Sequence, residues 1–333
     1  MVLDKEIKTQ LAQYLNLLES DIVLQTDLGD DDNSRKVKEF LDEIAAMSES
    51  THLKRQPSFG ITQKGQKSRV IFSGLPMGHE FTSFILALLQ VSGRPPKVDK
   101  DTIERIKKID KTIDLETYVS LTCHNCPDVV QAFNIMAVLN PNITHTMIEG
   151  GMYQDEVKAK GIMSVPTVYK DQEEFTSGRA TIEQLVEKLD GPLDADAFAD
   201  KGVYDVLVIG GGPAGNSAAI YATRKGLKTG LLAETFGGQV IETVGIENMI
   251  GTLYTEGPKL MAQVEEHTKS YDVDIIKSQL ATGIEKKELI EVTLANGAVL
   301  KSKTAILALG AKWRNINVPG EEEFRNKGVT YCP

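Results

Sequence analysis

Two cysteines spaced two residues apart, in Cys123-His124-Asn125-Cys126-Pro127, stand between an apolar, strand-like run (Leu115 to Thr122) and a helical period (Asp128 to Leu139). A strand that turns straight into a helix puts both sulfurs at the helix N-terminus. Unpaired backbone N–H groups and the positive end of the helix dipole there favour thiolate over thiol. A thiolate attacks disulfides, and a second thiol two residues on can resolve the mixed disulfide. The spacing points to dithiol–disulfide electron transfer.

Composition removes several other classes. The chain has 333 residues, 41% of them hydrophobic, enough for two or three ordinary domains. Its net charge is -10 and no Lys/Arg-rich run stands out, so nucleic acid is not an expected partner. The charged start, Met1-Val2-Leu3-Asp4-Lys5, lacks a signal-peptide core, and no apolar stretch is long enough for a membrane helix. Only three cysteines occur, which argues against a secreted disulfide scaffold and for the cytoplasm.

The first 190 residues read as one fold written twice. In the later copy the order is strand 115–122, CxxC, helix 128–139, strand 143–148, a short helix near 152–160, Ser164 to Tyr169, Gly178, and a helix from Thr181 to Leu189. The earlier copy runs strand Asp21–Thr26, helix Ser34–Met47, strand Thr51–Lys54, Pro57 to Thr62, strand Arg69–Phe72, Gly74, and helix His79–Leu89. Pro57 parallels Pro166, and Gly74 parallels Gly178. Met1–Leu18 and Lys100–Lys111 are the leading helices. Where the later copy has CHNC, the earlier one has Gly29-Asp30-Asp31-Asp32, which cannot exchange disulfides. That copy is expected to be redox-dead.

Three side features stay open at this level. Val165-Pro166 is either a cis peptide that presents backbone to a substrate chain or a proline opening an edge strand. His124 is either a cation that tunes the thiolate or a solvated residue. Glu80 either faces the dithiol and moves protons or, the blander account, is a solvated helix carboxylate. Zinc needs four ligands, and the chain offers the pair only His124 nearby and the distant Cys332. No metal is expected.

A small, acidic segment, 191–203, reads as an interdomain linker with room for a helical turn. The buried-strand run Val203 to Ile209 then enters Gly210-Gly211-Gly212-Pro213-Ala214-Gly215 and an alanine-rich helix through Arg224. Strand, glycine turn and helix together make a dinucleotide site. Gly210 permits the tight turn, Gly212 the approach of backbone to pyrophosphate, and Gly215 close helix–strand packing, with Pro213 and Ala214 opening the helix. Glu234, 24 residues after Gly210 and following strand Lys228–Ala233, is placed to accept the ribose hydroxyls.

CxxC-Pro after a strand, with Val165-Pro166-Thr167 about 40 residues on, is similar to thioredoxin and glutaredoxin folds. That resemblance implies Cys123 as attacking thiol, Cys126 as resolving thiol and Pro166 beside them. Phe236-Gly237-Gly238-Gln239, Glu247-Asn248 and Ala305 to Ala311 resemble the FAD domain of thioredoxin reductase-like flavoproteins. By that resemblance Gly237, Gly238, Gln239 and Asn248 approach the flavin, and the strand end with Gly310 lies near the dinucleotide. Leu309 stands where that family usually has threonine.

The whole order, with Trp313 to Glu321 and Gly328-Val329-Thr330-Tyr331-Cys332-Pro333, resembles the flavoprotein subunit of bacterial alkyl hydroperoxide reductases. The implied fold class is α/β: tandem thioredoxin-like folds (1–99, redox-inactive, and 100–190, redox-active), the linker, then the first part of a Rossmann-like FAD-binding domain from 204 to 333. The implied activity passes electrons from NADH through FAD, a CxxC opened by Cys332 and then Cys123–Cys126 to a partner peroxiredoxin, in a homodimer. About 130 residues are fewer than FAD and NADH domains usually need. The chain by itself is therefore expected to hold FAD weakly and not to oxidise NADH. A general protein disulfide reductase and a non-enzymatic docking module are the competing functions.

Overall fold

The computed structural model describes residues 5–44, 48–50, 54–243, 245–311, 314–321, 324 and 328–329. The chain divides into two compact units, Met1–Asp190 with Asn317–Pro333, and Gly191–Ile316.

In the first unit the earlier copy runs α1 (Lys5–Leu15), β1 (Ile22–Asp27), α2 (Asp32–Asp42), β2 (Ser48–Ser50), β3 (Ser58–Gln63), β4 (Val70–Ser73) and α3 (Phe81–Val91). The later copy runs α4 (Lys100–Lys108), β5 (Ile113–Val119), α5 (Cys126–Leu139), β6 (Ile143–Glu149), α6 (Gln154–Ala159), β7 (Thr167–Lys170), β8 (Glu173–Ser177) and α7 (Ile182–Asp190). All eight strands form one sheet in the order β2-β1-β3-β4-β6-β5-β7-β8. Within each copy the first two strands pair in parallel and the last two add antiparallel. The copies join through β4 and β6 in parallel, Phe72 opposite Met147. The duplication extends to single bonds. Gly74 N–H donates to the Pro57 carbonyl at 3.1 Å and Gly178 N–H to the Pro166 carbonyl at 2.8 Å, both prolines following cis peptide bonds.

The elements arise from ordinary local signals. Asp31 caps α2 by accepting from the Asn33 and Ser34 N–H groups, and Asp99 caps α4 through Thr102 N–H. α2 is shorter than the helix expected to reach Met47, and the strand expected at 51–54 is found at Ser48–Ser50, with residues 51–53 outside the described set. α3 is apolar on nearly all sides because it lies between sheet and neighbouring helices, burying Phe84 against Phe40, Phe59 and Phe72. One continuous apolar core spans both copies, from Leu11 to Val186.

A polar triad lies inside that core. His145 is fully buried on β6, 2.7 Å from Asn134 Oδ1 on α5 and 2.9 Å from Thr117 Oγ1 on β5. A carbonyl oxygen can only accept, so Nδ1 carries the hydrogen and Nε2 accepts from the threonine hydroxyl. Burial pulls the imidazole down to about 3 despite the opposing pull of Glu116. The unfolded chain therefore binds this proton more readily than the native one. Stability should fall as pH drops from about 6.5 toward 3 and be flat above neutrality. Hydrogen exchange of β6 amides across that range should show the loss, and His145→Gln should flatten the acid limb.

The second unit carries β9 (Val203–Ile209), α8 (Pro213–Thr223), β10 (Thr229–Ala233), α9 (Gly257–Lys269), β11 (Val273–Lys277), β12 (Ala281–Lys286), β13 (Ile290–Leu294) and β14 (Val299–Leu307). Its sheet order is β11-β10-β9-β14-β13-β12. β11, β10, β9 and β14 are parallel, and β12–β13–β14 form an antiparallel meander that returns β14 beside β9. The segment expected to link the domains is folded onto this unit. Residues Ala195–Lys201 form a 3-10 helix whose Phe198 enters the core with Leu207, Val292 and Leu300, and Asn296 Nδ2 donates to Leu193 O at 2.8 Å.

Candidate active site

Cys123 and Cys126 are joined in a disulfide at the start of α5, their Cα atoms 5.5 Å apart. Pro127 occupies the first helical turn, where its missing N–H costs nothing. The two sulfurs differ in access: Cys126 is fully buried, whereas Cys123 is half-buried and is the one a partner can reach. The Cys126 N–H lies 3.1 Å from Cys123 Sγ, aimed where a thiolate would gain from a donor. Val165 O is 3.6 Å from the same sulfur, so the Val165–Pro166 loop is a direct neighbour of the dithiol. β7, which this loop opens, lies between β5 and β8 and is no edge strand, which removes the edge-strand account of Pro166.

The earlier copy contributes the other wall. His79 N–H donates to Leu121 O at 3.1 Å, and Gly78, at φ 57°, lies so close that a Cβ there would meet the same oxygen at 2.4 Å. The His79 ring packs on His124 with centroids 4.2 Å apart, and both rings are exposed. Glu80 follows and is not the solvated carboxylate favoured from sequence: it is 0% exposed, and neither oxygen has a well-formed hydrogen bond. Burial raises this carboxyl to about 7, against a weaker downward pull from Ser83 and with a small upward push from Asp128, two residues past Cys126. Asp128 itself pairs with Arg179 at 2.6 Å. No residue pattern could have revealed the burial, because only the packing of the two copies places Glu80 against α5.

On the opposite face of β5, Glu116 and Tyr118 alternate with the core residues Leu115 and Val119. Arg55, just before β3, reaches across to Glu116 at 3.1 Å and to Glu156 on α6, which also accepts from the Tyr118 hydroxyl. Burial opposes the charge on Glu116, but Arg55 and Lys54 outweigh it and hold the carboxyl at about 2. Tyr118 also belongs to a buried cluster with Ile148 and Tyr169, against which Val157, Ile162 and Val165 pack, so this ion cluster and the loop touching Cys123 share one wall.

In the second unit the glycine turn has the geometry its sequence suggests. A Cβ on Gly210 would meet Ala308 O at 2.1 Å, and one on Gly215 would meet Gly210 O at 1.8 Å. At Gly212 nothing stands within 4 Å, leaving the turn open on its outer side at the head of α8, which begins with Pro213 and Ala214. Gly237 N–H donates to Gly211 O at 2.9 Å, and Gly238 lies against the Gly212 backbone. Glu234 follows the end of β10, whose Leu232 pairs with Ile209 at the entry to the turn. Gly310 follows Ala308, whose N–H donates to Ile209 O. These residues converge at the C-terminal ends of the parallel strands. Gln239 is exposed in the 3-10 turn Gly238–Glu242, and Asn248 is exposed in the loop closed by the Ile246–Thr255 bridge. Cys332 lies outside the described residues.

Residues 113–190 match the family model described as thioredoxin domain, and residues 204–333 the one described as pyridine nucleotide-disulphide oxidoreductase. Over its whole length the chain is 59% identical to a protein named NADH dehydrogenase from Bacillus subtilis (strain 168), covering 66% of it. It is 50% identical to the AhpF component of alkyl hydroperoxide reductase from Xanthomonas campestris pv. phaseoli, covering all of this chain and 65% of that one. The chain belongs to the AhpF family of alkyl hydroperoxide reductases. It spans about two thirds (66% and 65%) of those relatives' lengths. Among solved structures, the NTD_N/C domain of alkylhydroperoxide reductase AhpF from Enterococcus faecalis is similar over 56% of this chain and 99% of that one, with TM-score 0.53 and 28% identity. The AhpF family is thus one of flavin-dependent disulfide oxidoreductases in which the tandem thioredoxin unit precedes a dinucleotide-binding segment. Among the described residues no helix is long and apolar enough to cross a membrane.

The glycine turn supplies a paired prediction. Gly215→Ala drives a methyl into Gly210 O, 1.8 Å away, and should destabilise the second unit by on the order of 3 kcal/mol. Gly212→Ala meets open space and should change stability by less than about 1 kcal/mol while weakening dinucleotide binding. Thermal unfolding and FAD titration of the two variants separate the outcomes.

Proposed function

We propose that the chain serves a flavoprotein disulfide reductase relay in which electrons pass from NADH, through FAD and CxxC dithiols, to the disulfide of a partner peroxiredoxin in the cytoplasm, its own Cys123–Cys126 pair making the last transfer. The observation that carries this is the half-exposed Cys123 sulfur at the head of α5, with a backbone N–H at 3.1 Å and its bonded partner Cys126 buried behind it. Relatives named as AhpF components of alkyl hydroperoxide reductase support the identity of the acceptor.

In the reduced protein, the Cys123 thiolate attacks one sulfur of the partner disulfide. A bond forms between Cys123 Sγ and that sulfur, and the other partner sulfur leaves as thiolate and takes a proton. Cys126 then loses its proton and attacks Cys123 Sγ, releasing the second partner thiol. The balance is two electrons and two protons, from dithiol to disulfide. Glu80, held near 7 by burial, is the group on this chain suited to accept the Cys126 proton and return it to solvent. The Val165 carbonyl and Pro166 form the wall along which an extended partner segment lies. The Asp30–Asp32 copy takes no electrons and instead supplies Gly78, His79 and Glu80 to this site.

The residues of the second unit fit an FAD dinucleotide. Gly210, Gly212, Gly215, Pro213 and Ala214 would hold its pyrophosphate, Glu234 the ribose hydroxyls, and Gly237, Gly238, Gln239, Asn248 and Gly310 the remainder. FAD bound there supplies the two-electron relay between NADH and the dithiols. Cys332 is proposed as one sulfur of the dithiol that precedes Cys123–Cys126 in that relay, in a homodimer.

The experiment is transfer from the chemically reduced chain to an oxidised peroxiredoxin, followed by thiol counting. Two thiols should appear on the peroxiredoxin for each Cys123–Cys126 disulfide formed, much faster than reduction of insulin. Equal rates on both would instead favour a general protein disulfide reductase, and no transfer would overturn the proposal.

A further inference from the structure

At the end of the first unit away from the dithiol, a cleft of about 460 Å³ opens between the two copies. Its walls come from the β3–β4 hairpin, the end of α3, the Gly93-Arg94-Pro95-Pro96 connection, α4 and the last turn of α5. α5 has 14 residues, so about 20 Å separates this cleft from Cys126.

Its lining is unusual for a chain of net charge -10. Lys67, Arg69, Arg94 and Lys107 line it, and no aspartate or glutamate does. Lys107 pairs with Glu104 at 3.1 Å. Arg69 is half-buried and donates Nε to Ala137 O at 2.9 Å, leaving its terminal nitrogens without a protein acceptor among the described residues. Lys67 and Arg94 have no carboxylate partner among the described residues. Gln90, only 8% exposed, adds a side-chain amide that makes no hydrogen bond among the described residues. Between these polar groups stand apolar surfaces from Ile61, Val70, Ile103, Leu139 and Pro96.

Cations that line one cleft, all but Lys107 without a counter-charge among the described residues, repel one another unless an anion lies among them. A fork of arginine nitrogens matches phosphate oxygens, and the apolar walls match a flat organic body. The volume falls in the range of small-ligand sites. We propose that this seam binds a small phosphomonoester with an aromatic body, held by Arg69, Arg94 and Lys67 at the phosphate and by the apolar walls at the ring.

Pyridoxal 5'-phosphate is a suitable probe on the whole chain, because its aldehyde condenses with a neighbouring lysine, losing water, and borohydride fixes the product for peptide mapping. Label is expected on Lys67 or Lys107, suppressed by phenyl phosphate and less well by inorganic phosphate. Arg94→Glu should cut labelling at least about tenfold, the loss of one charge-assisted hydrogen bond plus a repulsion. Lys67→Met should weaken phenyl phosphate binding by a similar factor in calorimetric titration, while both variants keep the wild-type rate of dithiol transfer. Label spread over surface lysines in general, or labelling unchanged in Arg94→Glu, would overturn the proposal. So would protection by an acidic peptide but not by phenyl phosphate, which would mark a protein-docking groove instead.

Discussion

Cys123→Ser is expected to lower electron transfer from the reduced chain to a peroxiredoxin disulfide by at least about 1,000-fold, because a hydroxyl cannot replace a thiolate nucleophile. The fold should be little affected, since serine fills nearly the same volume at this half-exposed position. Cys126→Ser should behave differently. Its Cys123 still attacks, but nothing behind it can resolve the bond, so a mixed disulfide with the partner accumulates and survives until an external thiol is added. Non-reducing gel electrophoresis and stopped-flow thiol counting read the two outcomes. If Cys123→Ser supported the partner as well as wild type, the unit would be a docking module and the cysteines incidental. The asymmetry between the variants is the sharper test, because it follows from the burial difference between the two sulfurs.

Glu80→Gln is expected to change how the first unit's stability depends on pH and to slow the resolving step by roughly 100-fold. Glu80 ionises at about 7 when folded and near 4.5 when unfolded. The unfolded chain therefore gives up this proton first as pH rises. The wild-type protein keeps its full stability below about 4.5, loses it progressively above, and by pH 8 has lost about 3 kcal/mol through this one group. Gln cannot ionise, so between pH 5 and 8 the variant should be spared that decline. Hydrogen exchange of β5 and α5 amides reports the opening free energy of this unit alone. Parallel pH profiles for wild type and Glu80→Gln would show that the carboxyl does not titrate there. The rate effect distinguishes a proton carrier from a merely structural group: the slowing should be confined to the second step and should shrink below pH 6, where wild-type Glu80 is itself protonated.

Much of the architecture was legible in the residues. Two supersecondary orders could be aligned by hand because strands, helices and the landmarks Pro57/Pro166 and Gly74/Gly178 recur at like spacings, and the matched proline–glycine hydrogen bonds follow that register. Element ends drifted by a few residues, as at α2, where capping and packing rather than helical period set the stop. The segment expected to link the domains buries Phe198 and accepts Asn296 at Leu193 O, contacts that fix a short turn to the core of the second unit. Pro166 could not be assigned to an edge or an interior position from sequence, since strand order is a long-range property.

The CxxC pair and the glycine turn were set by local chain chemistry, because a helix N-terminus and a tight turn are built from neighbouring residues alone. That two copies share one sheet depended on β4 pairing with β6, residues about 75 positions apart. The same packing carries Gly78 and His79 of the earlier copy to the loop before Cys123, strips water from the Glu80 carboxyl and opens the basic seam at the far end. Desolvation and the meeting of distant charges are properties of folded volume, and only the tertiary structure decided them.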